Sequence, residues 1–181
     1  VNMSGDETSS TGSNNALTWN ASGNSITYQG TTTEKAPITM KITYLLDGKE
    51  ITPENLAGKS GKVTIRYEYT NNEKKTVTVN GKSYTVAVPF TMMTGMVLPS
   101  DKFSNIEVTN GKISELSDSN VVLGITMPGL KDTLSLKFGS ETLDMDIPEY
   151  FEVTADVKDF ELDMSMSVAT SNLLSDANVD D

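Results

Sequence analysis

Alternation with a period of two governs this chain. Ile38, Met40, Ile42 and Tyr44 fall on one side of an extended segment, and Val63, Ile65, Tyr67 and Tyr69 on one side of another, with Lys, Thr, Arg and Glu between them. The pattern returns in Tyr84, Val86, Val88 and Phe90, in Val121, Leu123, Ile125 and Met127, and in Leu134, Leu136 and Phe138. It appears once more in Phe160, Leu162, Met164, Met166 and Val168. A helix repeats its apolar face every 3.6 residues, and no long segment does so here. The alternation predicts an all-β, mainly antiparallel, sandwich-like fold with short helical turns. Its core should contain Ile42, Ile65, Tyr67, Val86, Val88, Leu123, Ile125, Leu162 and Met164.

Turn residues punctuate the strands. Asp47-Gly48, Asn80-Gly81 and Asn110-Gly111 are turn dipeptides that tolerate positive φ, and the last two predict tight hairpins. Thr52-Pro53-Glu54 reads as the start of one helical turn, with Gly58 as its stop. Pro37, Pro89, Pro99, Pro128 and Pro148 lie near strand ends, where a missing N–H costs little. Gly58-Lys59-Ser60 resembles the end of a phosphate-binding loop, but position 53 is proline and the residues that follow alternate like a strand. The segment is therefore read as strand, helical turn, strand.

Residues 1–16 are polar and predict a flexible lead; 17–170 predict the β domain, either undivided or split into two small β units near 91–104. Residues 171–181 read as the start of a linker or helix, with Ser171 or Ser175 as its cap. The chain begins at Val1 and shows neither a signal-peptide pattern nor an 18-residue apolar run, so it reads as a piece of a longer protein that carries any signal and anchor elsewhere.

The 181 residues carry a formal net charge of -11 and no basic run, which disfavours nucleic acid as a partner. With neither cysteine nor histidine, the chain lacks thiol nucleophiles, disulfides, Cys/His zinc sites and the imidazole of hydrolase triads. No motif asks for a cofactor.

What remains is carboxylate and aromatic chemistry. Two acids suffice for glycoside hydrolysis, but Asp159, Glu161 and Asp163 alternate opposite an apolar stripe, as on the solvated face of a strand. Clustered oxygens suit calcium, which makes Asp144, Asp146 and Glu149, with Asp118 and Asn120, weak metal candidates lacking any calcium-loop spacing. Trp19, Tyr28 and Tyr150 lie near segment ends and are candidates for stacking on sugar rings. Met92, Met93 and Met96 around Gly95 form a soft apolar cluster of the kind that fills cores or accommodates partners.

"YLLDGKEITPENLAGKSGKVTIRYEYTNN", "VPFTMMTGMVLPSDKFSNIEVTNGKI", "VVLGITMPGL" and "DIPEYFEVTADVKDFELDMSMSVAT" together resemble an extracytoplasmic β region of large membrane proteins from Gram-positive gut bacteria. Those proteins look like relatives of the phage-infection-protein group. The resemblance spans nearly all of 17–170 and implies an envelope location, with a coiled coil and a membrane-spanning portion after the β region. It supplies no catalytic motif. The function expected is a non-enzymatic cell-surface scaffold or binding module for a protein or glycan, touching the membrane only through other parts of its parent. A carbohydrate-binding module is the alternative, and a two-carboxylate glycoside hydrolase the third reading.

Overall fold

The computed structural model describes residues 10–13, 16–19, 33–134 and 146–171. The chain divides into two compact units, Val1–Lys35 and Ala36–Asp181. In the first, β1 (Ser10–Ser13) pairs antiparallel with β2 (Ala16–Trp19). Residues 10–13 of the segment read as a lead thus form a strand, and the second unit runs from Ala36 to Asp181.

The second unit is an antiparallel sandwich. Its strands are β3 (Ile38–Leu46), β4 (Lys49–Ile51), β5 (Gly61–Asn71), β6 (Lys74–Val79), β7 (Lys82–Ala87), β8 (Thr91–Pro99), β9 (Phe103–Thr109), β10 (Gly111–Glu115), β11 (Ser119–Thr126), β12 (Tyr150–Val157) and β13 (Met164–Thr170). Two short helices, α1 (Pro53–Leu56) and α2 (Leu130–Leu134), lie in connections. One sheet has the order β4-β3-β5-β12-β9 and the other β10-β11-β8-β13, while β6 and β7 form a separate hairpin. The stretch 91–104, considered as a boundary between two β units, instead supplies β8, an inner strand of the four-stranded sheet, and the start of β9.

The alternation of β5 survives folding unchanged. Val63, Ile65, Tyr67 and Tyr69 are buried, and Phe151, Val153, Ala155 and Val157 of the neighbouring β12 meet them on the same face. From the opposing sheet come Met92, Met96, Leu98 and Val122. Ile42 and Leu162 pack partly buried against this cluster. Val86 and Val88, predicted to be core, are half-buried and stand outside it, because the β6–β7 hairpin leaves both large sheets. Leu134 ends a helix rather than belonging to a strand; Leu136 and Phe138 lie outside the described residues.

Three core positions inferred from alternation are corrected. Leu123 is 55%, Ile125 50% and Met164 58% exposed, so β11 and β13 turn their bulkier stripes outward. Inside lie Val122, Gly124 and Thr126 from β11 and Ser167 from β13. The cause is Phe151, whose ring occupies the space beside Gly124: a Cβ there would lie 2.1 Å from Phe151 Cδ2. Only a residue without a side chain can face that ring. Because strand side chains alternate, placing Gly124 inward forces Leu123 and Ile125 outward.

The turns behave as their residues suggest at two of three places. Asp47 and Gly48 take φ of 50° and 79° between β3 and β4, and Asn80 and Gly81 take 51° and 75° between β6 and β7. Asn110-Gly111 makes no hairpin, because β9 and β10 belong to different sheets. Here Gly111 allows close approach instead, since a Cβ on it would lie 2.6 Å from the Leu123 carbonyl oxygen. The Asn110 side chain donates to the Tyr150 carbonyl at 2.7 Å, tying the crossover to β12.

The interior contains an instructive pair of tyrosines. The Tyr69 hydroxyl shares hydrogen bonds with Thr94 and with Ser167, the latter at 2.9 Å. The Tyr67 hydroxyl is buried without a hydrogen-bond partner; burial raises its pKa, an effect the nearby Ser165 hydroxyl partly offsets without reaching bonding geometry. Removing an unsatisfied buried hydroxyl relieves a desolvation cost, whereas removing a bonded one loses the bond. Tyr67→Phe should therefore leave stability unchanged or raise it, and Tyr69→Phe should lower it by about 1 kcal/mol. Denaturant melts of the two variants check the contrast.

Candidate functional site

The segment that resembles a phosphate loop is structural. Thr52 precedes α1 with extended backbone angles, Pro53 occupies its first turn, and the Thr52 hydroxyl accepts from Asn55 Nδ2 at 3.1 Å rather than capping the helix. Gly58 ends the turn with φ of 71° and donates its N–H to the Phe160 carbonyl at 3.0 Å. Phe160 returns a bond to the Lys59 carbonyl, and Ser60 Oγ accepts the Asp159 N–H at 2.9 Å. The Gly-Lys-Ser backbone is thus laced to the connection that leads from β12 to β13.

That connection carries the three alternating acids. Glu161 pairs with Lys102, whose hydrogen bond holds the carboxyl below the usual carboxylate range, while Glu161 raises the ammonium. A depressed carboxyl stabilises the fold above its ordinary pKa and loses that effect as pH falls through the lowered value; a raised lysine loses its effect only as pH rises through its own higher value. Glu161→Gln should therefore cause a small drop in melting temperature at neutral pH that vanishes in strong acid. Thermal melts across pH test this. Asp159 and Asp163 are exposed.

Tyr150 lies on the outer face of the five-stranded sheet, where the Arg66 guanidinium stacks 3.8 Å from its ring centre. Arg66 also pairs with Glu152 at 3.3 Å and Glu68 at 3.4 Å, so one ring face of Tyr150 is already occupied by a held cation. Trp19 lies in β2 of the first unit, and Tyr28 falls outside the described residues. Asp144 also falls outside them; Asp146 and Glu149 are exposed on either side of buried Ile147. Asp118 hydrogen-bonds Ser119, and Asn120 donates to Ser100. Among the described residues no three acids gather closely enough to hold a metal ion. Glu149 instead lines a cleft of about 420 Å³ with Lys74, Thr85 and Asp132, beneath the β6–β7 hairpin.

The feature that stands out is a surface. The outward residues of three adjacent strands align as Val121, Val97 and Met164, then Leu123, Gly95 and Met166, then Ile125, Met93 and Val168. All nine positions are glycine or apolar, and Leu123, Ile125, Met93, Met164, Met166 and Val168 are exposed. With strands 4.8 Å apart and same-face residues about 6.8 Å apart, the grid covers about 300 Å². That is within the range of the largest apolar patch on an ordinary monomer, a size often tied to function. Three of its residues, Met93, Met164 and Met166, are methionines, whose unbranched chains adapt to different partners. Gly95 dips at the centre, where an added Cβ would meet Leu123 at 3.2 Å.

Sequence reasoning singled out Met92, Met93 and Met96 around Gly95, of which only Met93 lies on this face while Met92 and Met96 are buried, and it assigned Leu123, Ile125 and Met164 to the interior. The signal available was Gly124: a glycine within a strand run marks a close approach by something bulky, and so the inward side. Among the described residues no helix is long and apolar enough to cross a membrane. No protein-family model, curated protein or solved structure matches the chain.

Proposed function

We propose that this chain is a non-enzymatic binding module, displayed outside the cytoplasm by a bacterial envelope membrane protein, which docks a protein partner on the outer face of its four-stranded sheet. One observation carries the reading: β11 and β13 turn Leu123, Ile125, Met164, Met166 and Val168 to solvent, beside Met93 of β8, while facing the smaller Val122, Gly124, Thr126 and Ser167 inward. Leaving the bulkier stripe of these two strands in water is costly unless another surface covers it. Complete burial of about 300 Å² is worth roughly 7 kcal/mol before the costs of association, enough to anchor a moderate-affinity contact. The envelope location rests on the resemblance of the sequence blocks to extracytoplasmic regions of Gram-positive membrane proteins. Sugar stacking draws no support from Tyr150, whose ring already stacks on Arg66.

A photo-crosslinking amino acid placed at Leu123 in the parent protein on intact cells tests the face. It should yield one defined adduct, whereas the same group at Lys41, on the five-stranded sheet, should not. Equal, diffuse labelling from both positions would refute a docking face.

A further inference from the structure

We propose that the partner docks by adding an extended strand to the outer edge of β13 over Ser165–Ala169, a mode that deepens and rests on the docking face argued above. β13 ends the order β10-β11-β8-β13, so among the described residues no strand pairs with its far edge. Such an edge is a template for another strand unless something guards it. The other three edges of the two large sheets are guarded. β4 has three residues and contains Lys49 and Glu50, β10 carries Lys112 and Glu115, and β9 contains Glu107 and breaks register against β12. β13 reads Met-Ser-Met-Ser-Val-Ala-Thr, with no charge, proline or bulge in its pairing with β8.

A second observation is independent of the edge. The five-stranded sheet is opposed by only four strands. Gly111 of β10 approaches Val108 of β9, Gly124 of β11 meets Phe151 of β12, and Tyr69 of β5 bonds to Thr94 of β8 and Ser167 of β13. Nothing in the opposing sheet remains to cover β3. Phe160 packs edge-on against Tyr44, which closes one end of β3. At the other end Met40 is 49% exposed although it lies directly beside buried Tyr69 on the inner face. A strand laid against β13 at the level of Ser167 would sit one strand spacing further on and cover Met40.

These constraints describe the occupant. Its outward side chains would prolong the row of Met164, Met166 and Val168, and its inward ones would bury Met40 and Ile38, so it is apolar on both faces. Basic flanking residues would complement a chain of net charge -11. A second copy fits worse: its β13 would offer Ser165, Ser167 and Ala169 to Met40, and two chains of charge -11 repel. The occupant is therefore an extended segment of a different polypeptide, held by main-chain hydrogen bonds with side-chain pockets for selection.

The probe is a synthetic peptide, acetyl-Lys-Val-Thr-Val-Ile-Val-Thr-Val-Lys-amide, with a control in which proline replaces the central isoleucine. Amide hydrogen exchange and methionine methyl NMR are recorded with and without it. On peptide addition, exchange of those 165–169 amides that point away from β8 should slow by roughly tenfold or more and the Met40 methyl should shift. The proline control should do neither. Ala169→Lys and Met166→Lys, both at exposed positions, should keep the native melting temperature and lose the response. Absence of slowed exchange at millimolar peptide overturns strand addition; if Leu123 crosslinking still succeeds, the docking face survives alone. Slow exchange of the amides pointing away from β8 without peptide at every dilution would assign the edge to the chain's own segment. Slow exchange only at high protein concentration would assign it to a second copy. Either result overturns the partner strand.

Discussion

Gly124→Val is expected to be among the most damaging single substitutions in this protein. The ring of Phe151 stands where the new side chain must go, and its atoms Cδ2, Cγ and Cε2 would lie 2.1, 2.4 and 2.6 Å from the Cβ alone. Phe151 cannot retreat, since it is fully buried and packed against Tyr67, with the ring centres 5.8 Å apart and the planes tilted by 39°. Overpacking usually costs 1–3 kcal/mol, and a clash with a fixed ring belongs at or above about 3 kcal/mol. Shrinking the ring should relieve it: Phe151→Leu alone leaves a void, yet combined with Gly124→Ala it should cost less than the sum of the two single changes. Denaturant unfolding of the four chains measures that coupling. A freely tolerated Gly124→Val would mean that β11 does not face Phe151.

Ile65→Asp is the second large effect. Ile65 is 2% exposed in the centre of β5, between Tyr44 on β3 and Val153 on β12. A carboxylate there has no cation to meet, so it must either remain charged in an apolar surround or take up a proton. The loss should be about 3 kcal/mol or more at neutral pH. Because the folded state favours the protonated acid, its pKa is raised on folding. The defect should therefore shrink as pH falls through that raised value, opposite to the loss of the Glu161 contact in acid. Urea melts at neutral and mildly acidic pH check both size and sign.

The contrast between β5 and β11 shows what the sequence made legible. In β5 the alternate set is Lys62, Thr64, Arg66 and Glu68, so only one face can be buried and pattern determines orientation. In β11 the two sets are Val121, Leu123 and Ile125 against Val122, Gly124 and Thr126. Hydrophobicity alone chooses the first, but shape chooses the second, because Phe151 needs the room that Gly124 leaves. A contact between residues 27 positions apart is invisible to a local pattern. Asn110-Gly111 fails for the same reason: the glycine answers to the Leu123 carbonyl and the Phe151 ring rather than to a hairpin. Where a turn serves only its own strands, as at Asp47-Gly48 and Asn80-Gly81, the local reading is right.

The apolar outer face was hidden by that same choice. Leu123, Ile125, Met164 and Met166 look like core residues in a sequence, and only the facing of each strand reveals them as surface. The β13 edge needed one thing more, the strand order, since nothing in Met-Ser-Met-Ser-Val-Ala-Thr announces that it lies at the end of a sheet.

The facing of β11 is tested most directly by moving one charge by one residue. Leu123→Lys places an ammonium on the outer face at a position 55% exposed, whereas Val122→Lys drives it into the fully buried space between the sheets. Equilibrium unfolding in urea should show Leu123→Lys within about 0.5 kcal/mol of the parent chain and Val122→Lys destabilised by about 3 kcal/mol or more. The reverse order, with Leu123→Lys unfolding the chain and Val122→Lys tolerated, would return the apolar stripe to the core and remove the proposed docking face with it.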